Sequence, residues 1–525
     1  MPVRALFRCA LLMLFACPLF AQTFPADDPV IKKIWVEAMD SSALPVLAHQ
    51  LLDVVGPRLV GTPGMLKAQQ WAIDRYAGWG IQAKNEQYGT WRGWERGISH
   101  IDLLEPRVRS LEGTMLAFSP STPEQGTQAR LSIIPDVRDS AGFFTWLPSV
   151  KGTFVLLSAC QPTGRPDKVW EEFATRDSFD SLKALRKRIE ENWDLRLKSP
   201  GIGTDSLIQI LEKAGAAGII TSQWSSGWGT FRIFDVRTRK IPAVTLALED
   251  YSLLYRLATA GDRPLVRIIA SSRTLDTQPA NNLIATMPGA ARSGEYVILS
   301  AHFDSWDGAS GATDNGTGTL IMMEAMRILR KVYPRPPRTI IAGHWGSEEQ
   351  GLNGSRAYAL DHPEVVEKLQ ALFNQDNGTG RITSMGAAGL LDAGSHLARW
   401  LSRIPAELTR DIKVQFPGMP AGGGTDNASF APAGAPAFGL GATNWDYFSY
   451  TWHTNRDTYD KLVFSDLKNN AALVACLVYL ASEDPEFIPR ERRVMPDDRK
   501  TGAPQAWPAG TVPNRDGRPR VRTRE

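Results

Sequence analysis

The sequence predicts an α/β fold: a mainly parallel mixed sheet with helices on both faces, interrupted by a small inserted β-rich region. Three observations predict it. From Asn281 onward, short apolar runs alternate with glycine loops and helical stretches, the pattern of parallel strands joined by crossover helices. From about Gly113 to Ser272 the texture changes to isolated strand signals around one long charged helical piece, "FDSLKALRKRIEENWDLRL". And 525 residues exceed what a single core usually organises, so two or three folded units are expected.

The elements follow in order. Residues 1–21 read as a secretory signal: Arg4 and Arg8, a short apolar stretch, then small residues ending at Ala21. "LFAC", ending at Cys17, is a weaker lipoprotein-anchor reading, because apolar "PLF" follows where a polar tether belongs. Residues 22–112 form the N-terminal part of the main unit, with helical spacing in "LPVLAHQLLDVV" and "GMLKAQQWAIDRYAGWG" and Gly80 as a stop. Residues 113–272 are the insertion, and residues 273–488 complete the main unit. Residues 489–525, rich in proline and arginine, are expected to be disordered.

Several classes are excluded. The net charge of +3 and the lack of a basic cluster in the body argue against a nucleic-acid partner. No later segment offers ~18 unbroken apolar residues, so no stable membrane insertion is expected after signal removal. Two of the four cysteines lie in the signal, and Cys160 and Cys476 sit in apolar runs, so two buried thiols are expected.

The chemistry gathers at strand ends, where open α/β sheets build their sites. "EYVILSAHFDSWDGASGATDNGTG" ends a strand with His302, Asp304 and Asp314. The next strand gives Glu348 and Glu349, the third gives Asp376, and a later loop gives His453. Each has an ordinary alternative: a packed histidine, a solvated glutamate turn, an Asp-Asn-Gly bend. Together they form an imidazole and carboxylate set without cysteine, which suits zinc, manganese or cobalt in a hydrolytic site. There are more carboxylates than one ion needs, which points to two ions. Which of Glu348 and Glu349 is ligand and which is base cannot be read from spacing. His344 reads as a core residue. His49, His100, His362 and His396 show no carboxylate partner at ligand spacing. Trp306, Trp445 and Trp452 are pocket walls or packing.

These motifs, with "VGPRLVGTPG", "WERG", "SEEQGLNGS", "QDNGTG", "GGGTDNASF" and "WHTNRDT", resemble the co-catalytic di-zinc exopeptidases that include secreted bacterial aminopeptidases, and within them the carboxypeptidase Q group. The insertion resembles a protease-associated domain, notably in "KAGAAGII". The resemblance implies two Zn²⁺ per chain, bridged by Asp314, with His302 and Asp376 completing one position and Glu349 and His453 the other. It implies Glu348 as general base and Asp304 as the residue that orients His302. It implies a secreted or periplasmic exopeptidase acting on short peptides or dipeptides, with the insertion as a cleft wall. Tyr447 and Tyr450 are both candidates for stabilising an oxyanion. A homodimer stays open. Asn315, where relatives commonly carry a second aspartate, and Asn374 and Gln375 depart from the pattern without removing a ligand. Two rivals share the scaffold: a single-zinc glutaminyl cyclase and a non-catalytic receptor-like relative.

Overall fold

The computed structural model describes residues 28–518; the expected signal, with Cys9 and Cys17, lies outside them. Among the described residues, fourteen strands join in one sheet. In the C-terminal half the order is Lys413–Gln415, Ile382–Gly386, Ala437–Ala442, Leu369–Asn374, Arg292–His302, Arg338–Trp345, then Leu265–Met287. The four strands Ala437–Ala442, Leu369–Asn374, Arg292–His302 and Arg338–Trp345 are mutually parallel. Their carboxyl ends therefore share one edge.

Strand alternation builds two cores. Leu283, Val297, Leu299, Ile340, Ala342, Ala371 and Phe373 face one side, under the helices Pro29–Asp40, Thr317–Val332 and Phe464–Glu483. Ile284, Ile298, Ile341, Trp345 and Leu372 face the other, against Tyr358, Val365 and Val366 of two short helices. Covering both faces is what lets these strands be apolar throughout. Helix Phe464–Glu483 is buried at every position from Ala471 to Ser482, because it lies between the sheet and other helices. Cys476 there is free and buried, and Cys160 is free and half-buried. No helix of the described residues is long and apolar enough to cross a membrane.

The inserted region differs from the expectation of a β-rich unit. Residues 113–264 hold five α-helices and five short strands. Four of those strands, Thr127–Ile133, Thr153–Leu156, Gly218–Thr221 and Ala243–Leu246, are parallel neighbours. The charged stretch forms helix Arg176–Lys198, which turns Leu182, Arg186 and Trp193 inward and its remaining charges outward. The two halves are joined by Gln82–Glu105 and Leu265–Met287, an antiparallel ribbon with irregularities near Gly89, Gly93 and Ser99.

The tail also departs from expectation. Through residue 518 it lies against the body. Arg492 bridges to Leu390, the Trp507 indole donates to the Ala431 carbonyl at 2.7 Å, and Arg515 grips Asp361 at 2.7 and 3.0 Å. A proline-rich chain needs few partners for its own backbone, and arginines reach distant carboxylates and carbonyls.

Three histidines read as partnerless have carboxylates nearby. His49 meets Asp53, His362 meets Glu86, and His396 meets Asp484. Of these only the first pair is a near neighbour in sequence. His344 is buried as expected, with Nε2 2.7 Å from the Tyr76 hydroxyl.

Candidate metal centre

His302 ends the strand Arg292–His302, between the parallel strands that deliver Glu348 and Glu349 on one side and Asp376 on the other. Asp314 lies just before the helix that starts at Thr317, and His453 in the loop beyond Ala437–Ala442. His302 Nε2 is 3.1 Å from Asp376 Oδ1 and 3.3 Å from Asp314 Oδ1. His453 Nε2 is 3.1 Å from Asp314 Oδ2 and 2.9 Å from Glu349 Oε2. Each oxygen of Asp314 thus faces a different imidazole. His302, Asp314 and Asp376 form one group able to hold an ion, and Asp314, Glu349 and His453 form another.

The surroundings fit cations. Asp314 Oδ2 and Glu349 Oε1 are buried without a partner of hydrogen-bond geometry among the described residues, a costly arrangement unless something positive completes it. Burial pushes Glu349 up to about 7, helped by Asp314. Burial also pushes Glu348 well above the usual carboxylate range, with Asp376, Asp426 and Glu349 adding repulsion against the pull of His302. For Asp314, burial works upward but the two imidazoles outweigh it and hold the carboxyl well below its usual range. His453 moves to about 10: burial opposes its charge, and Glu349 and Asp314 overcome that. The set is negative, desolvated and made of N and O donors, the chemistry of a hydrolytic metal site.

Asp304, expected to orient His302, meets that ring with its backbone. The Nδ1 of His302 is 2.9 Å from the backbone carbonyl of Asp304, and 3.8 Å from its carboxylate. The Asp304 carboxylate accepts instead from the backbone N–H groups of Glu348, at 3.0 Å, and Glu349, at 3.3 Å. It therefore fixes the turn that carries both glutamates, a turn entered through Ser347 at φ 55°. Asn315 also has a physical account. Its amide donates to the Gln375 carbonyl at 2.8 Å while its oxygen accepts from Gly318 N–H at 3.0 Å. An aspartate could not make the first bond.

Supporting residues went unread in the sequence. Asp457 accepts from Thr313 N–H and hydroxyl at 2.7 and 2.8 Å and from Asp314 N–H at 3.0 Å. Arg58, fully buried, donates to the carbonyls of Phe303, Ser310 and Gly311 and ties down the loop between His302 and Asp314. Arg96, from "WERG", pairs through Nε and Nη2 with both oxygens of Asp307 at 2.8 and 2.7 Å. Asp426, buried near Asp376 and Asp304, is pushed up to about 7, chiefly by burial. The motifs marked these positions but gave no contact.

The two tyrosines separate. Tyr447 is buried over Gly378, where a Cβ would meet its ring at 3.1 Å. Burial raises its hydroxyl well above the usual value, and Asp314, Asp376, Asp457 and Glu349 add to this. Tyr450 packs instead over Gly227 of the inserted region. Beside Asp376 lies a pocket of about 320 Å³ lined by Asn377, Met385, Asn427 and Leu440 among others.

Residues 282–478, which span every one of these strand ends and His453, match the family model described as Peptidase family M28. The chain is 25% identical over 443 residues to carboxypeptidase Q of Mus musculus, covering 84% of this chain and 86% of the mouse protein. The Bos taurus carboxypeptidase Q is 26% identical over 443 residues, with 84% and 85% covered. The fold resembles that of a peptidase M28 precursor from Shewanella amazonensis (TM-score 0.64, 24% identity, 89% of this chain and 98% of that one). It also resembles a zinc aminopeptidase from Bacillus subtilis (TM-score 0.54, 20% identity, 88% and 97% covered). The protein is a metallo-exopeptidase with a large, mainly parallel sheet.

Proposed function

We propose that the protein is an exported zinc exopeptidase that binds two ions and hydrolyses short peptides. One observation carries the two-ion reading: Asp314 presents one carboxylate oxygen to His302 and the other to His453. His302 and Asp376 would hold one ion with Asp314, and Glu349 and His453 the other. Zinc in these positions would supply Lewis acidity to the scissile carbonyl and to the attacking water. Glu348, whose burial favours holding a proton, accepts that proton from the water and delivers it to the leaving amine. Asp304 keeps Glu348 and Glu349 on opposite tasks by gripping the backbone between them. Tyr447 stays protonated and is the candidate donor to the developing oxyanion.

Residues 22–112 and 273–488 would form the catalytic unit and residues 113–272 the wall of its cleft. Export rests on the charged then apolar start of the chain. The test is metal content together with hydrolysis. Elemental analysis of the zinc-saturated chain is expected to give two ions, and chelation to abolish hydrolysis of unblocked short peptides. A single ion at saturation would favour the one-zinc cyclase chemistry instead.

A further inference from the structure

His302 and His453 are held by different means. His302 has an ordinary support, its Nδ1 2.9 Å from a carbonyl two residues away. His453 has none: its Nδ1 is buried and without a hydrogen-bond partner among the described residues. Its φ is 61°, a left-handed conformation that a histidine keeps only where its surroundings impose it. Imidazoles that ligate metal ordinarily donate their second N–H to a carboxylate or carbonyl, which fixes the ring.

Part of what surrounds His453 comes from the inserted region, beside Trp306 and Trp452 of the catalytic part. The His453 carbonyl accepts from Ile233 N–H at 2.9 Å. Asn455 N–H donates to the Phe231 carbonyl at 3.1 Å, and the Asn455 side chain accepts from Phe231 N–H and donates to the Gly229 carbonyl, each at 3.1 Å. The two segments thus pair as a short antiparallel bridge centred on Arg232 and Thr454. The ring is packed from both directions. Trp452 stacks on it at 3.8 Å, and Phe234 meets it at 5.3 Å with planes at 89°. Arg232 fixes Trp452 in turn: its guanidinium lies 4.8 Å from the indole centroid and donates to the Phe448 carbonyl at 2.9 Å.

We propose that residues 229–236 of the inserted region clamp His453, so that the zinc position built on that imidazole is completed by the insertion, with Phe234 and Arg232 as positioning residues. The inference rests on the two-ion reading above. Neither side chain touches a reacting atom. Together they replace the hydrogen bond that His453 lacks. The insertion is then part of the metal centre's support as well as a cleft wall.

The experiment is a zinc titration of the full apo chain against a chromophoric chelator, which reads affinity without reading activity. Wild type is expected to take up two equivalents. Phe234→Ala and Arg232→Gln are expected to keep one equivalent at wild-type affinity and to weaken the other by about 10–100-fold, the usual effect of removing a ligand's support. Arg232→Lys keeps a cation for the indole and a donor for the Phe448 carbonyl, and is expected to recover most of the loss. Two unchanged equivalents in both Phe234→Ala and Arg232→Gln would overturn the clamp. Equal weakening of both equivalents would overturn it too, since that is general loosening. A lysine no better than glutamine would remove Arg232 from the assignment. A wild-type chain that binds fewer than two ions would sink the two-ion reading itself, and is seen before any variant is compared.

Discussion

The two halves of the proposed metal centre offer the same donor types and are built in opposite ways. On the His302 side, two of the donors, His302 and Asp376, follow adjacent parallel strands of one sheet. His302 leans on the Asp304 carbonyl, and Asp376 follows a strand paired with the one that ends at His302. On the His453 side, Glu349 comes from a strand end but the imidazole sits on a loop in a left-handed conformation, packed by Phe234 from another part of the chain. Rigid strands set the first position. Docking of two regions sets the second. Precision can therefore be built once into a sheet and a second time by contact, and the second half is the one open to adjustment.

Substitutions can break or sharpen this contrast. The largest effect is expected from Asp314→Ala, which removes the only carboxylate among the described residues that faces both imidazoles. Both ions should be lost, and with them several kcal/mol of transition-state stabilisation, at least ~10³-fold in rate. Two ions retained by elemental analysis would erase the contrast altogether. Next come the paired glutamates. Glu348→Gln should keep both metals and lower kcat by roughly 10²–10⁴, with KM little changed. Glu349→Gln should lose the His453-side ion, with partial rescue by excess zinc. If metal loss follows Glu348 instead, the roles are reversed.

Asp304→Asn is a smaller step. It turns one acceptor of the Glu348 and Glu349 backbone into a donor. We expect affinity to fall by about tenfold at the Glu349 side and little at the His302 side, because the carbonyl that supports His302 is untouched. Site-resolved zinc titration measures this, and a loss confined to the His302 side would restore the carboxylate as that histidine's orienter. The smallest effect is expected from Trp452→Phe. A ring remains over His453 and under Arg232, and the weaker cation–π contact costs about 0.5 kcal/mol, roughly twofold in affinity for the His453-side ion. A much larger loss would mean that the indole does more than stack.

The contrast also explains what the sequence could disclose. His302, Asp314, Glu348, Glu349 and Asp376 were legible because strand ends in a parallel sheet converge by rule, and a local pattern is enough to find them. The mainly parallel sheet was legible for the same reason. Arg58, Asp457, Phe234 and Arg232 were not, since each acts on a residue far along the chain and nothing in its own neighbourhood names that partner. Asp304 was read as the residue beside His302, but not that its backbone carbonyl would meet the ring while its carboxylate accepts from a different strand end. The tail was misjudged by composition, which sees few apolar residues and cannot see Asp361 waiting for Arg515.

The ribbon between the two regions has a mechanical consequence. Gln82–Glu105 and Leu265–Met287 remain hydrogen-bonded to each other across the junction, over 24 and 23 residues. The regions are thus joined by a twisted ladder, where a flexible tether would leave them free to swing. Such a beam bends most easily where its pairing slips, near Gly89, Gly93 and Ser99. Lifting the insertion from the catalytic face, and so parting Phe234 from His453, would require both bending at those irregular rungs and breaking of the Ile233–His453 and Arg232–Phe448 hydrogen bonds.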